Sequence, residues 1–125
     1  MKSHVMALLS ASMLTVLSPF AHAAPSIERG GDVFDGQCAE CHSLKSGKNK
    51  KGPSLFASIG RKAGTVPDYV YSEAMKQSGI TWTPEKMTAY IDGPKTVVPG
   101  GKMKFDGKLT PQESADLMAF LSTVH

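Results

Sequence analysis

Two cysteines and a histidine lie within one run of five residues, Cys38-Ala39-Glu40-Cys41-His42. A Cys-x-x-Cys-His run is the attachment signature of c-type haem. Two thiols at this spacing can add to the two vinyl groups at one edge of the porphyrin, and the adjacent imidazole can reach the iron. The sequence therefore predicts one covalent haem, anchored by Cys38 and Cys41, with His42 as an axial ligand.

Three other interpretations of this motif fit less well. A thioredoxin-like dithiol would follow a strand within a βαβ unit, and no strand pattern is present here. A zinc site needs four ligands, whereas the chain after residue 23 offers only Cys38, Cys41, His42 and His125. A plain disulfide leaves the long irregular segments of the chain without an explanation.

The motif leaves the sixth ligand of the iron open. Because His125 is the terminal residue, the realistic donors are methionine, lysine or none. Met103 lies in an irregular segment, 97–105, whose single proline and two glycines form a tight loop that can present a thioether inward. The other three methionines after residue 23 fall in predicted helices, where methionine usually fills gaps in the core: Met75, Met87 and Met118.

Apolar spacing near 3.6 residues predicts four helices, over 28–38, 68–78, 83–93 and from 110 to near the C-terminus. Thr83 and Thr110 are the predicted N-caps of the last two. Two irregular segments, 43–66 and 95–108, separate the helices, and no segment alternates as a strand does. The predicted fold class is therefore all-α. Because helix packing alone would bury little apolar area for so many loop residues, a large apolar cofactor is expected at the centre.

Residues 1–23 differ from the rest of the chain. A basic N-terminus precedes an apolar run over 5–17, and Ala21 and Ala23 form a cleavage-like site. This is the layout of a secretory signal peptide. A retained membrane anchor is the alternative, but the run is shorter than the about 20 residues that a bilayer span needs. Cleavage leaves residues 24–125, enough for one domain.

The charge of the chain gives a weaker indication of its binding partners. After residue 23 the chain carries 13 basic and 11 acidic residues, a net charge of +2 that is too mild to indicate nucleic acid. The lysines are concentrated in two segments, 45–62 and 95–108. This pattern is typical either of an ordinary solvated face or of a surface that docks to acidic partners.

The sequence resembles the class I cytochromes c, in particular the soluble bacterial cytochrome c2 type related to the mitochondrial carrier. The similarity spans nearly the whole chain after residue 23. Besides the haem motif and the final helix, it rests on these residues: Gly30, Phe34, Gly52-Pro53, Gly60-Arg61, Tyr71, Gly79-Ile80-Thr81-Trp82, Tyr90, Pro94 and Pro99-Gly100-Gly101-Lys102-Met103. It implies a small cytochrome c domain over 24–125, with several short helices and long loops around one covalent haem c.

The resemblance also implies the coordination of the iron. His42 and Met103 would be the two axial ligands. The Pro53 carbonyl would accept the imidazole N–H and so fix the orientation of the ring. Tyr90 would lie beside the Met103 sulfur.

Three further residues, Arg61, Tyr71 and Trp82, would by the same resemblance gather at the haem propionates and stabilise their negative charge. Two positions depart from the mitochondrial pattern. Met75 stands where that branch commonly has asparagine, and Gly101 where it commonly has threonine. Each replacement removes a possible hydrogen bond, so we expect a smaller polar network beside the haem than in that branch.

These features predict a soluble, monomeric one-electron carrier of a respiratory chain in a bacterial periplasm, not an enzyme. Two filled axial positions leave no site for a substrate. The expected partners are redox proteins: a donor such as a cytochrome bc1-type complex or a dehydrogenase, and an acceptor such as an oxidase or reductase. Neither nucleic acid nor stable membrane insertion is expected. Two alternatives stay open, a dedicated partner or subunit of one periplasmic dehydrogenase, and a haem protein whose Met103 bond opens for sensing or peroxidase activity.

Overall fold

A computed structural model describes residues 22–125. Its helices, in chain order, are α1 (Ile27–Gln37), α2 (Glu73–Lys76), α3 (Pro84–Asp92), α4 (Pro94–Val97) and α5 (Pro111–Leu121). Within the described residues there is no strand, and extended pairing is limited to one antiparallel bridge between Lys62 and Thr81. The predicted all-α fold is confirmed.

The signal-peptide and membrane-anchor interpretations concern residues 1–23, nearly all of which lie outside the described residues. The predicted cleavage point, between Ala23 and Ala24, falls in an exposed stretch that is not helical. Between residues 22 and 125, none of the helices is long and apolar enough to cross a membrane.

Each of the three longest helices has an N-cap residue whose side chain accepts a hydrogen bond from a backbone N–H group of the first turn, which has no partner within the helix. Ser26, Thr83 and Thr110 each accept a hydrogen bond from the N–H three residues further along. The Thr110 N–H also donates to the Glu113 carboxylate at 2.7 Å, which completes a capping box. Thr83 and Thr110 are therefore confirmed as N-caps, and α1 begins one residue earlier than predicted because Ser26 caps it.

Two boundary predictions were wrong. The helix predicted over 68–78 is only the four-residue α2. Asp68 has a φ of +61°, which no α-helix accommodates. Ser72, which has an extended backbone, is the N-cap of α2, so the helix begins five residues after the predicted start. The segment predicted to be irregular over 95–108 begins with α4, because Pro94 sets a helical φ at the first position of that helix.

The most extensive helix contact is the crossing of α1 with α5. A Cβ on Gly30 would lie 2.0 Å from the Asp116 carbonyl oxygen, so the two backbones approach this closely only because position 30 has no side chain. Nearby, the rings of Phe34 and Phe120 lie 6.0 Å apart between centroids, and Leu117 is fully buried. The crossing fixes α1, and with it the Cys motif that follows α1 directly.

A buried carboxylate ties the start of α1 to α5. Asp116 is 2% exposed and accepts hydrogen bonds at 2.7 to 3.1 Å from the Ser26 N–H, the Arg29 guanidinium and the Gln112 amide. Arg29 also donates to the Ala24 carbonyl at 2.9 Å. The hydrogen bond from Arg29, supported by the other donors, lowers the pKa of Asp116 to about 2.

Gly30→Ala should lower the free energy of unfolding by about 3 kcal/mol, because the added methyl group would force the α1 and α5 backbones apart. The control is Gly36→Ala on the same helix, where a Cβ would meet nothing within 4 Å. That change should be neutral or stabilising by up to about 1 kcal/mol. Urea denaturation of the two holo-proteins measures the difference, and equal effects would contradict the close approach at Gly30.

Acid should destabilise the fold through Asp116. Its pKa in the folded chain lies below the ordinary value of 3.8, so the folded state favours the ionised form. The resulting stabilisation is present above about pH 4 and is lost as the pH falls through about 2. Urea unfolding between about pH 5 and about pH 2 should show a smaller loss of stability in Asp116→Asn than in the wild type. Asp106→Asn, at an exposed loop carboxylate, is the control and should follow the wild type. If Asp116→Asn loses as much stability as the wild type over this pH range, the proposed role of Asp116 is wrong.

Candidate haem site

A cavity of about 670 Å³ is enclosed by the end of α1, the loops around 51–55 and 69–72, α3, α5 and the segment 102–105. All nine residues that the sequence predicted for the site line it: Cys38, Cys41, His42, Pro53, Arg61, Tyr71, Trp82, Tyr90 and Met103. They span 66 positions of the chain from Cys38 to Met103 and meet only in the folded molecule. Their individual roles stay predictions.

The Cys motif directly follows α1 and continues it as a hydrogen-bonded turn. The Cys38 N–H donates to the Phe34 carbonyl at 2.8 Å, and the His42 N–H donates to the Cys38 carbonyl at 3.0 Å. This turn places both thiols and the imidazole on the cavity wall. Burial, followed by the proximity of Cys41, raises the pKa of the Cys38 thiol to about 11, so that thiol is protonated at neutral pH.

The His42 ring is held in one orientation. Its Nδ1 lies 2.8 Å from the Pro53 carbonyl oxygen. A neutral ring donates its Nδ1–H to that oxygen, which leaves the Nε2 lone pair available to a metal. Burial lowers the pKa of His42 and so favours the neutral form that such coordination requires.

Gly52 is a site residue that the sequence prediction missed. A Cβ at this position would lie 2.4 Å from Cε1 of His42 and 2.8 Å from its Nδ1. Only a glycine therefore lets the imidazole lie this close to the backbone beside Pro53. The available signal was the Gly52-Pro53 pair, a family feature in which the resemblance gave a role to Pro53 but none to Gly52.

Met103 lies in a half-buried segment without regular structure and lines the cavity. Met75 and Met87 line the same cavity and are 8% and 6% exposed, whereas Met118 does not reach it. Three thioethers thus border the site, of which Met75 and Met87 were assigned to packing from the sequence. Lys102, next to Met103, donates to the Val70 carbonyl at 2.8 Å and ties this segment to the loop 69–72.

The Arg61 guanidinium is positioned by the backbone and has no ion-pair partner among the described residues. Its Nη1 donates to the Phe56 carbonyl at 2.7 Å, and its Nη2 donates to the Ser54 carbonyl at 3.1 Å. Tyr71 accepts a hydrogen bond from the Val66 N–H at 3.2 Å, so its own O–H proton is available to another acceptor. Both groups can therefore meet an anion at the cavity wall.

Aromatic rings form much of the remaining wall. Trp82 and Tyr90 pack with ring centroids 5.0 Å apart, and Tyr69 and Tyr71 form an edge-to-face pair at 4.7 Å. Burial raises the pKa of Tyr90 to about 12, so its phenol is a hydrogen-bond donor at any physiological pH. Tyr69 is a second residue that the prediction missed, because it fell within the helix predicted over 68–78 and belongs to no motif that was recognised.

The cavity fits a haem by its chemistry. It presents two thiols on one side, one oriented imidazole, thioethers, and a largely apolar wall completed by Leu55, Ile91, Phe105, Leu117 and Leu121. In the part of the chain that the structure describes, no three His, Cys, Asp or Glu side chains converge as they would around a bare metal ion. The zinc interpretation therefore gains no support, and a porphyrin remains the group that uses all of these features.

Comparison with known proteins agrees with this chemistry. The family model for cytochrome c matches residues 27–125. Cytochrome c2 of Rhodopila globiformis is 45% identical over 76% of this chain and 90% of its own. Cytochrome c2 of Rhodomicrobium vannielii is 42% identical over 100% of this chain and 98% of its own. Among solved structures, cytochrome cH from Methylobacterium extorquens superposes with a TM-score of 0.72 at 36% identity, covering 78% of this chain and 98% of its own.

Gly52→Ala should displace the His42 ring and weaken its hydrogen bond to Pro53, because the new methyl group would overlap the imidazole. We expect a loss of about 1–3 kcal/mol in the free energy of unfolding and a shift of the visible spectrum of the holo-protein. Gly31→Ala is the control, since its Cβ would make only ordinary contacts with Phe120, the nearest at 3.5 Å. An unchanged spectrum in Gly52→Ala would show that the ring does not depend on this glycine.

Proposed function

This chain belongs to the cytochrome c family and is a haem-containing electron carrier, and we propose that His42 and Met103 ligate its iron and that it works in a bacterial periplasm. Members of the family carry a covalently bound c-type haem, which supplies reversible one-electron chemistry at its iron. The remaining steps of the proposal concern what the residues of this chain do around that group.

Cys38 and Cys41 would each form one thioether bond to the haem. The turn after α1 holds them on the same wall as His42, as the attachment geometry requires. Pro53 would keep the His42 Nε2 directed at the iron through the bond to Nδ1. Arg61, Tyr71 and Trp82 would supply donors to the propionates, and two of them are already positioned by backbone bonds.

The observation that carries the proposal is the oriented His42 in the same apolar cavity as the Met103 thioether. Histidine and methionine together raise the reduction potential and leave no open position for a substrate, which suits a carrier better than an enzyme. Tyr90, buried in the same wall and protonated, would donate a hydrogen bond to the Met103 sulfur. Met75 and Met87 would fill space.

Export would follow from residues 1–23, the proposed signal peptide. In support, the similarity to cytochrome c2 of Rhodomicrobium vannielii extends over the whole chain, including this segment. Cleavage before the exposed Ala24 would leave the network of Asp116, Arg29 and Ser26 intact. The mass of the exported protein tests the cut: it should equal residues 24–125 plus one haem.

Transient docking to redox partners would use exposed lysines around the haem motif and the Met103 segment. The structure divides these lysines into two groups. Lys51 forms an ion pair with Glu40 at 2.7 Å, and Lys102 donates a hydrogen bond to the Val70 carbonyl. Both ammonium groups therefore already have a partner within the protein. Lys45 and Lys95 are exposed and form no ion pair among the described residues. Weak electrostatic encounters of this kind suit a shuttle.

Met103→Ala should abolish the weak ferric absorption at the red end of the visible spectrum that accompanies sulfur ligation. It should also lower the reduction potential, because a thioether favours ferrous iron. Spectroscopy and redox titration of the holo-protein measure both. The controls Met75→Leu, Met87→Leu and Met118→Leu should keep the band. If one of these controls loses it while Met103→Ala retains it, the ligand assignment is wrong.

Raising the salt concentration should slow electron transfer to the physiological partner, since exposed charges are screened beyond about 10 Å at 0.1 M. Stopped-flow rates across a salt series measure this. Lys45→Glu and Lys95→Glu should reduce the rate at low salt and flatten its salt dependence. A rate independent of salt would contradict electrostatic docking, and co-purification in a stable complex would favour the dehydrogenase-subunit alternative.

A further inference from the structure

The segment that carries Met103 is extended. Between residues 101 and 109 the odd-numbered residues are partly buried and the even-numbered residues are exposed, which is the alternation of an extended backbone. Met103 and Phe105 both line the haem cavity, and Leu109 packs against the core of buried residues. We call residues 101–109 the Met103 strap. Its exposed side chains are Lys102, Lys104, Asp106 and Lys108.

The backbone of the strap does not attach it to the rest of the protein. Among the described residues, no backbone–backbone hydrogen bond involves residues 102–109. A segment without such bonds opens at a lower free-energy cost than a helix does, so its side chains must hold it in place. On the N-terminal side of Met103, Lys102 holds the strap through its hydrogen bond to the Val70 carbonyl.

Lys108 holds the strap on the C-terminal side of Met103. Its Nζ donates to the Asp92 carbonyl at 3.2 Å and to the Asp92 carboxylate at 3.3 Å. Asp92 is the last residue of α3, where a carbonyl without a partner in the helix favours a nearby cation. Because Met87 and Tyr90 of the same helix line the haem cavity, this contact ties the strap to a wall of that cavity.

The absence of a side chain at Gly107 fixes the position of the Phe105 ring. A Cβ at residue 107 would lie 2.6 Å from Cζ and 2.8 Å from Cε2 of that ring. Gly107 does not have a positive φ, so an alanine fits the backbone there and the ring would have to move instead. The glycine therefore lets the ring stay where it lines the haem cavity, two residues from Met103.

We propose that Lys108 and Gly107 are positioning residues for Met103: they keep the strap closed and so set how readily the iron exchanges the Met103 sulfur for a small neutral base. The inference rests on the proposed ligation by His42 and Met103. In the exchange the iron–sulfur bond breaks and an iron–nitrogen bond to the incoming base forms, with no change of oxidation state and no proton transfer. The exposed contact of Lys108 with Asp92 should contribute modestly, and the close packing at Gly107 should contribute more.

The test of Lys108 is the replacement of Met103 by imidazole in the ferric holo-protein. Stopped-flow spectroscopy follows the loss of the weak absorption at the red end, and at saturating imidazole the rate is that of strap opening. Lys108→Met should raise this rate about twofold to fivefold, the range expected for an exposed ion pair. Lys86→Met removes the same charge from α3, where Lys86 forms no ion pair among the described residues, and should leave the rate unchanged. Combining Asp92→Asn with Lys108→Met should give no further acceleration.

Gly107→Ala should raise the exchange rate about tenfold, because the displaced Phe105 ring admits imidazole and water beside the sulfur. It should also lower the reduction potential, since water stabilises the more highly charged ferric iron, and redox titration measures this. Phe105→Leu lacks the outer ring atoms that a Cβ at 107 would meet, so Gly107→Ala should have no further effect in that background. Gly36→Ala is the control, because a Cβ there meets nothing within 4 Å.

The wild type separates this inference from the proposed ligation. If its ferric spectrum lacks the sulfur band, Met103 is not the ligand and both proposals fail. If the band is present and Lys108→Met and Gly107→Ala exchange at the wild-type rate, only the positioning role is wrong. Two further results would also overturn it. Equal acceleration by Lys86→Met would assign the effect of Lys108 to net charge, and acceleration by Gly107→Ala in the Phe105→Leu background would assign the effect of Gly107 to the backbone.

Discussion

Packing between helices is concentrated in one crossing, that of α1 with α5, so most of the chain must bury its apolar side chains against a common centre. The cavity of about 670 Å³ is that centre. The haem of the cytochrome c family supplies the apolar area that the short helices cannot supply to one another. Long loops are then required by the fold, because they must reach around a group larger than any side chain.

Backbone carbonyls in these loops orient the polar side chains of the site. The Pro53 carbonyl holds the His42 ring, and the Ser54 and Phe56 carbonyls hold Arg61. A carbonyl within a loop is free to accept such bonds, whereas one inside a helix is already used by the helix. The irregular segments are thus what allows a small domain to fix several polar groups around an apolar cofactor.

The α1–α5 crossing and the haem site are linked through α1. The start of this helix is fixed to α5 by the Asp116 network, its middle packs closely at Gly30, and its end leads directly into the Cys motif. A change at the crossing therefore moves the positions of Cys38 and Cys41. This connection gives a structural reason for the buried Asp116 carboxylate, which does not line the haem cavity.

Local interactions could be predicted from the sequence alone. The Cys38-Ala39-Glu40-Cys41-His42 run indicated covalent haem because its chemistry depends on spacing within five residues. Thr83 and Thr110 were identified as N-caps because the bonds they accept come from three residues away. The same locality explains why the all-α class and the capping box of α5 were predicted correctly, and the family resemblance then named Met103, Pro53 and the remaining site residues.

Other features were decided only by the tertiary structure. The short α2, the contact of Gly52 with His42 and the hydrogen bonds that Asp116 accepts had no counterpart in the sequence pattern. Each depends on residues that are distant in the chain, or on a backbone angle such as the positive φ of Asp68. Contacts of this kind have no period and no fixed spacing, because they arise only when the chain closes around its centre and brings separate segments within a few ångströms of each other.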